Sequence, residues 1–330
     1  MVQFGLGIQS DKTPAEYAAL ARRAEAGGFD VVSVYHDLLY QPAIVPLLVI
    51  AQATERVRVG PAALNPYTLH PVEIAGQIAA LDAVSNGRAY LGLVQGAWLD
   101  ALGLAEDRPL TALREAVTVI RRLFAGDLGG FAGERFTLAP GQGFHYEPLR
   151  RDVPLLLGTW GRRTAAFAGE ARAAELKLGG SANPELVPVM RDWIGSDAVG
   201  IVLGAVTVVD EDGDAARARA RAAVELYLPV VAGRDPTLDL GPGDEPPLER
   251  FVLERDGDLD RLVEVGAVGG QVARKGQDVA DPELVRHLLS LALICAGGGR
   301  RRGDARRPQR DQPQELSSSL HGSLLLAPPT

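Results

Sequence analysis

The chain has 330 residues, 46% of them hydrophobic and 23% charged, which suits one large soluble domain with a sizeable core. Its formal net charge is −8 and the acidic excess is spread along the body, so neither nucleic acid nor a membrane surface is expected as a partner. Cys295 is the single cysteine, which excludes an intramolecular disulfide and a thiolate metal cluster; no metal is expected, and the lack of a signal-like start after Met1 predicts a cytoplasmic protein.

Val2–Ile8 predicts a first strand, and Thr13-Pro14 is placed to cap and open a helix over Ala15–Gly27. Phe29–Tyr35 is rich in β-branched and aromatic residues and reads as a strand, Pro42–Thr54 as a helix, and Val57–Leu64 as a third strand. Pro71–Val84 has helical spacing, Ala89–Val94 is a short apolar strand, and Pro109–Phe124 is a strongly patterned helix. Gly126–Arg151 lacks one period and predicts an insertion after strand four, of the kind that shapes substrate pockets in barrels. Val153–Leu157, Arg162–Arg172, Ala174–Leu178, Pro184–Ile194, Gly200–Val209 and Ala215–Leu228 carry the alternation through a seventh unit.

This rhythm fits either a doubly wound sheet or a closed (β/α)8 barrel, and periodicity does not decide between them. Against a classical dinucleotide fold, Gly5-Leu6-Gly7 lies inside the first strand and no G-x-G-x-x-G opens the first helix. From about Gly233 the pattern degrades among prolines and charges, and only Glu283–Cys295 reads as a helix. The domain is therefore expected over residues 1–296, with an atypical C-terminal end. Residues 297–330, with Gly297-Gly298-Gly299, Arg300-Arg301-Arg302 and Ser317-Ser318-Ser319, predict a loose, solvated tail.

The stretch Val57–Asp100, VRVGPAALNPYTLHPVEIAGQIAALDAVSNGRAYLGLVQGAWLD, resembles the luciferase-like monooxygenase superfamily, above all its deazaflavin-dependent methylenetetrahydromethanopterin reductases. Asn65–Pro71 (NPYTLHP) is the sharpest match, and a second lies in GTWGRRTAAFAGE followed by AAELKLGGSANP, within Leu157–Pro184. The resemblance implies a (β/α)8 TIM barrel with the cofactor across the C-terminal strand ends, where the barrel rule independently places an active site. Nothing in Phe251–Thr330 matches the family's usual ending, which a shifted reading frame would account for; if the tail is real, an open edge beside the first strand would need cover, for instance from a partner subunit.

By the same resemblance, Ala62–Ala63 forms a cis peptide bulge behind the cofactor ring, and small side chains suit a backbone pressed against a flat ring. Asn65, with both donor and acceptor, matches a position that contacts the deazaflavin in relatives. Tyr67 and His70 either reach the substrate pocket or shape the loop and cap the next helix. His36 and Asp37, following strand two, occupy the region where relatives carry a catalytic His or Asp, against a plain loop histidine as the bland alternative. Gly92 and Gly96 would admit close approach of the cofactor, and Trp98 could wall the pocket. Ala97 stands where sugar-phosphate and alcohol dehydrogenases of the family carry a catalytic Glu, which points to the reductase-like branch.

Gly158, Thr159, Gly161 and Arg162 precede a helix and could hold a phosphate, and Gly179-Gly180-Ser181 supplies a second anion-friendly turn; tight βα turns would use the same residues. The expectation is hydride transfer between coenzyme F420 and a small, methylene-tetrahydropterin-like organic substrate. An FMN-dependent two-component monooxygenase and a non-catalytic flavin-binding barrel are the alternatives. The implied partners are a small-molecule substrate, a flavin or F420 reductase as cofactor supplier, and a second copy in a homodimer.

Overall fold

The structure is a computed structural model and describes residues 2–104, 108–181 and 183–204, scattered positions between 207 and 237, and the backbone of 322–326. Its elements run β1 Gln3–Ile8, α1 Pro14–Ala26, β2 Val31–Val34, α2 Ile44–Ala53, β3 Arg58–Pro61, α3 Pro71–Val84 and β4 Leu91–Leu93. A 3-10 turn Leu99–Leu102 leads to α4 Pro109–Ala125, the hairpin β5 Phe131–Ala132 and β6 Thr137–Leu138, and β7 Leu155–Gly158. There follow α5 Arg162–Glu170, β8 Glu175–Gly179, α6 Leu186–Ile194, β9 Gly200–Gly204 and β10 Gly322–Leu326. The expected helices Ala215–Leu228 and Glu283–Cys295, and the expected strand beyond Gly204, fall wholly or largely outside the described residues.

The helices begin where the sequence signals they should. Thr13 caps α1 through its side chain while Glu16 returns a bond to the Thr13 N–H, a reciprocal cap with Pro14 in the first turn. Pro71 and Pro109 likewise open α3 and α4, where a missing N–H costs nothing.

Eight strands form one sheet in the order β3-β2-β1-β10-β9-β8-β7-β4. Neighbours are parallel throughout except at β10, which runs antiparallel to both β1 and β9. The two ends of that order meet. Bridges join Val59 to Ala89 and Leu64 to Leu93, with Tyr90 N donating to Val59 O at 3.0 Å and Val94 N to Leu64 O at 2.9 Å. The sheet thus returns on itself as a barrel, with parallel strands joined through helices on the outside.

One expectation is corrected here. The tail read as loose contains β10, and it is this strand that covers the edge of β1 for which a partner subunit was invoked. A Gly/Arg/Pro-rich surrounding hides a five-residue strand, GSLLL, with three consecutive leucines, whose backbone groups find partners on both sides.

Strand alternation sorts the core. Outward residues Phe4, Leu6, Ile8, Val32, Val34 and Val59 pack with Tyr17, Leu47 and Ile50 of α1 and α2. On the other side, Leu93, Leu157, Leu176 and Ile201 pack with residues of α3 to α6. A fully buried Leu of this kind contributes about 1.5–3 kcal/mol. Facing inward, Val31, Tyr90, Leu156 and Val202 make a separate small cluster. The remaining inward positions are mostly glycine or polar: Gly60 is so close to the Tyr90 ring that a Cβ would lie 2.6 Å from it. Tyr90 Oη donates to Gly60 O at 3.0 Å and meets Ser33 Oγ at 2.8 Å, and Arg58 Nη2 donates to both Glu175 oxygens at 2.9 Å. These pairs plug the N-terminal half of the barrel and leave the C-terminal half for smaller residues.

Candidate active site

Because β1 to β4 and β7 to β9 all point the same way, the residues that follow them gather at one mouth. After β1, Gln9 Nε2 donates to Asp37 Oδ2 at 2.8 Å, and Gln9 Oε1 accepts from the Ser10 N–H at 3.0 Å. Asp37 is therefore tied to β1 rather than left swinging on its loop. Ser10 is fully buried, and its Oγ has no hydrogen-bond partner among the described residues.

His36, one residue earlier, is half-buried and accepts the Ala43 N–H at Nδ1, 3.3 Å, just ahead of α2. Burial pushes its pKa below the ordinary 6.5, with the Asp37 charge opposing. A neutral ring that accepts at Nδ1 carries its proton on Nε2, so His36 presents a donor there.

The bond Ala62–Ala63 is cis, where the resemblance places it. Gly92 sits directly against this bulge: a Cβ on it would lie 1.9 Å from Pro61 O and 3.3 Å from Ala63 Cβ. A side chain is thus excluded at Gly92 by the chain's own β3 backbone. Gly158 is similar, with Val94 Cγ1 2.5 Å from the place of its missing Cβ. Gly96 adopts φ +98 and packs on Leu99, while Trp98, expected as a wall, is 55% exposed at the head of the 3-10 turn.

Asn65 is buried, and its Oδ1 accepts from Tyr67 N at 3.1 Å, Thr68 N at 3.0 Å and Thr68 Oγ1 at 3.1 Å. The acceptor is spent on shaping the loop, which leaves Nδ2 as the group to meet a ligand. His70 is the N-cap of α3, its Nδ1 accepting from Val72 N at 3.2 Å, and its ring stands edge-on to Phe136. Of its two expected roles the structure displays the cap. Tyr67 lies half-buried in the same loop.

On the far side of the mouth, Thr159 N donates to Lys177 O and Thr159 Oγ1 accepts from Gly161 N at 2.9 Å. Gly161 is the N-cap of α5 without a side-chain cap, and Arg162 is exposed in its first turn. Gly179 ends β8 with nothing within 4 Å of a would-be Cβ, so it borders open space. Gly180 follows at φ +82, Ser181 Oγ accepts from Asn183 N at 3.1 Å, and Asn183 Nδ2 reaches Asp235 and Thr237.

Four residues escaped the sequence reading: Gln9, Ser10, Trp160 and Lys177. Trp160 Nε1 donates to Gly179 O at 3.2 Å and so ties the β7 and β8 turns together. Lys177 is buried within β8, and its Nζ lies 5.4 Å from the Tyr35 ring centre across the barrel. The available signal was a lysine two residues after Glu175, the two charges alternating with leucines in the strand ELKLG.

With this geometry in view, comparison with known proteins is informative. Residues 1–258 match the family model for luciferase-like monooxygenases, and the chain belongs to that family. It is an oxidoreductase of the luciferase-like TIM-barrel fold. Among relatives, it is 28% identical to the 5,10-methylenetetrahydromethanopterin reductase of Archaeoglobus fulgidus, over 77% of this chain and 75% of that one. It is 26% identical to the F420-dependent glucose-6-phosphate dehydrogenase of Microbacterium testaceum, over 80% and 89% respectively. The solved coenzyme F420 dependent tetrahydromethanopterin reductase of Methanopyrus kandleri superposes with a TM-score of 0.63 at 25% identity, covering 71% of this chain and 75% of that chain.

Proposed function

We propose that the chain is a deazaflavin-dependent oxidoreductase that moves hydride between coenzyme F420 and a small organic substrate of the methylene-tetrahydropterin type. The observation that carries this reading is the mouth itself. A neutral His36 with a donor at Nε2 and a fastened Asp37 follow β2 at the same end of the barrel as the open space at Gly179, where the buried, unpartnered Ser10 Oγ follows β1. Similarity to a reductase and a dehydrogenase named as F420-dependent supports the cofactor.

The residues present fit a flat ring carrying a phosphate-bearing tail. Gly179 offers space where any other residue would intrude, Asn65 Nδ2 and Ser10 Oγ are polar groups left over after the local hydrogen bonds, and the uncapped start of α5 beside Arg162 suits an anion. When bound, the deazaflavin supplies a hydride donor or acceptor at C5. Ala62, Ala63 and Gly92 form the rigid back wall against which the ring is held. His36 Nε2 directs its proton at the substrate atom that gains electron density, and Asp37, anchored by Gln9, keeps a negative charge beside that imidazole. Trp160, bonded to Gly179 O, ties the β7 and β8 turns together at the rim of the mouth.

Titration of the purified chain with F420 and, separately, with FMN, followed by cofactor fluorescence, tests this. Selective, saturable F420 binding and F420H2 oxidation by 5,10-methylenetetrahydromethanopterin are expected. Selective FMN binding with oxygen consumption would instead establish the monooxygenase, and binding of neither would leave an inactive barrel.

A further inference from the structure

The barrel holds a cation that the fold does not explain. Lys177 is 9% exposed, yet among the described residues its Nζ makes no ion pair and no hydrogen bond. Glu175, the carboxylate on the same strand, gives both oxygens to Arg58 at 2.9 Å. What the ammonium touches is the face of Tyr35, 5.4 Å away on the segment that continues β2 into His36 and Asp37. Burying a charge without a partner is costly, and folds keep such a group only where something else stabilises it.

The side chain points towards the mouth. Its Cε lies 3.4 Å from where a Cβ on Gly204 would sit, and Gly204 pairs with Gly179, the last residue of β8. The lysine therefore climbs from its own level to the C-terminal rim, in the half of the barrel where neighbouring positions are Gly158, Gly179 and Gly204. Composition sharpens the point: Lys12, Lys177 and Lys275 are the only lysines, against 31 arginines. A chain that otherwise uses arginine places here the one cation that is compact, rotatable and able to lose its proton.

We propose that Lys177 is a ligand-binding residue of this site, its ammonium rising from the barrel floor to donate hydrogen bonds to an electron-rich oxygen on the buried edge of the molecule held in the mouth. The inference rests on the reading that the mouth holds a flavin-type cofactor with a small substrate. Carbonyl oxygens of either could be the acceptor, and the experiment separates them.

Burial pushes the Lys177 ammonium down to about 8, with Glu175 acting to hold it up. The groups that act on it are Glu175 on its own strand and the Tyr35 ring after β2; Arg58 of β3, which lies over the Tyr90 ring, is held by Glu175 in turn. The inward positions of β1, β7 and β9 contribute no titratable group among the described residues. The cation is thus present at pH 7 and is lost as pH rises past about 8.

The test uses full-length protein labelled with 13Cε-lysine, in which K177R identifies the Lys177 signal. Its titration midpoint is measured alone, with F420, with FMN, and with F420 plus 5,10-methylenetetrahydromethanopterin. Cofactor affinity and KM of the wild type, K177M and K177R are measured at pH 7 and pH 9. If the cofactor is the acceptor, its binding moves the signal and raises the midpoint by about one unit, which corresponds to about tenfold weaker binding at high pH. K177M then binds about tenfold more weakly at pH 7 and loses that pH dependence, while K177R keeps partial affinity without it.

If the substrate is the acceptor, the cofactor alone leaves the signal in place and the effect appears in KM. In both cases K177M melts no lower than the wild type, because an unpaired charge has been removed. A signal that no ligand moves, with wild-type affinity and KM in K177M and a melting temperature lowered by several degrees, makes the lysine structural and overturns the proposal while leaving the F420 reading intact. Binding of neither cofactor by the wild type overturns both.

Discussion

Burial lowers the pKa of both His36 and Lys177, and each leaves a signature in pH dependence. The folded pKa of His36 is lowered, so just below its ordinary 6.5 the unfolded chain binds the proton more readily than the fold does. The stability contributed by neutral His36 is complete above that value and is lost as pH falls through the window below it. His36→Asn, which keeps an acceptor for the Ala43 N–H, should flatten the pH dependence of chemical-denaturation stability there while lowering kcat about 100-fold or more, read by stopped-flow F420 absorbance. For Lys177 the unfolded chain keeps its proton to about 10.5 while the fold sheds it near 8, so the native state carries its burial penalty below pH 8 and is relieved of it as pH rises. That penalty is on the order of 3 kcal/mol, and K177M should exceed the wild type in stability at pH 7, with the advantage fading towards pH 10. Denaturation curves at the two pH values decide it.

At the scale of elements, the far end of the insertion between α4 and β7 is fastened to α3 by an ion pair whose carboxylate is fully buried. Asp82 of α3 is fully buried, and Arg150 donates to both of its oxygens and to Ala89 O. Removing only the guanidinium strands a carboxylate in the core, so Arg150→Met should cost about 3–5 kcal/mol. The double change Arg150→Met with Asp82→Leu removes the stranded charge and should recover much of that loss, and urea denaturation of the three proteins measures it. The existence of α3 and α4 was legible from apolar spacing and opening prolines, as was that of an insertion. The pairing of Asp82 with Arg150 was not, because an ion pair between residues far apart in sequence has no local signature.

For the whole molecule, the decisive contact is the one that β10 makes with β1 and β9. Ending the chain at residue 318 removes this strand and exposes two rows of unpaired backbone groups. The shortened protein should self-associate in light scattering and melt several degrees lower. A shortened protein that stays monodisperse with unchanged melting temperature would show that β10 is dispensable.

Several features were settled by the residues themselves: the βα alternation, the start of α1 at Thr13-Pro14, the strand-end position of His36 and Asp37, and membership of the luciferase-like family through NPYTLHP and GGSANP. These depend on local periodicity, capping chemistry or contiguous motifs, which a linear string carries intact. Other features required the folded chain. That Gly92 yields to Pro61 O, that Asn65 spends its acceptor on its own loop, that GSLLL occupies the gap beside β1, and that the Lys177 ammonium reaches the Tyr35 ring are facts about residues distant in sequence or about which way a side chain points. Closing the barrel decides them, because only a closed ring brings β8 opposite β2 and gives an inward side chain a floor and a mouth.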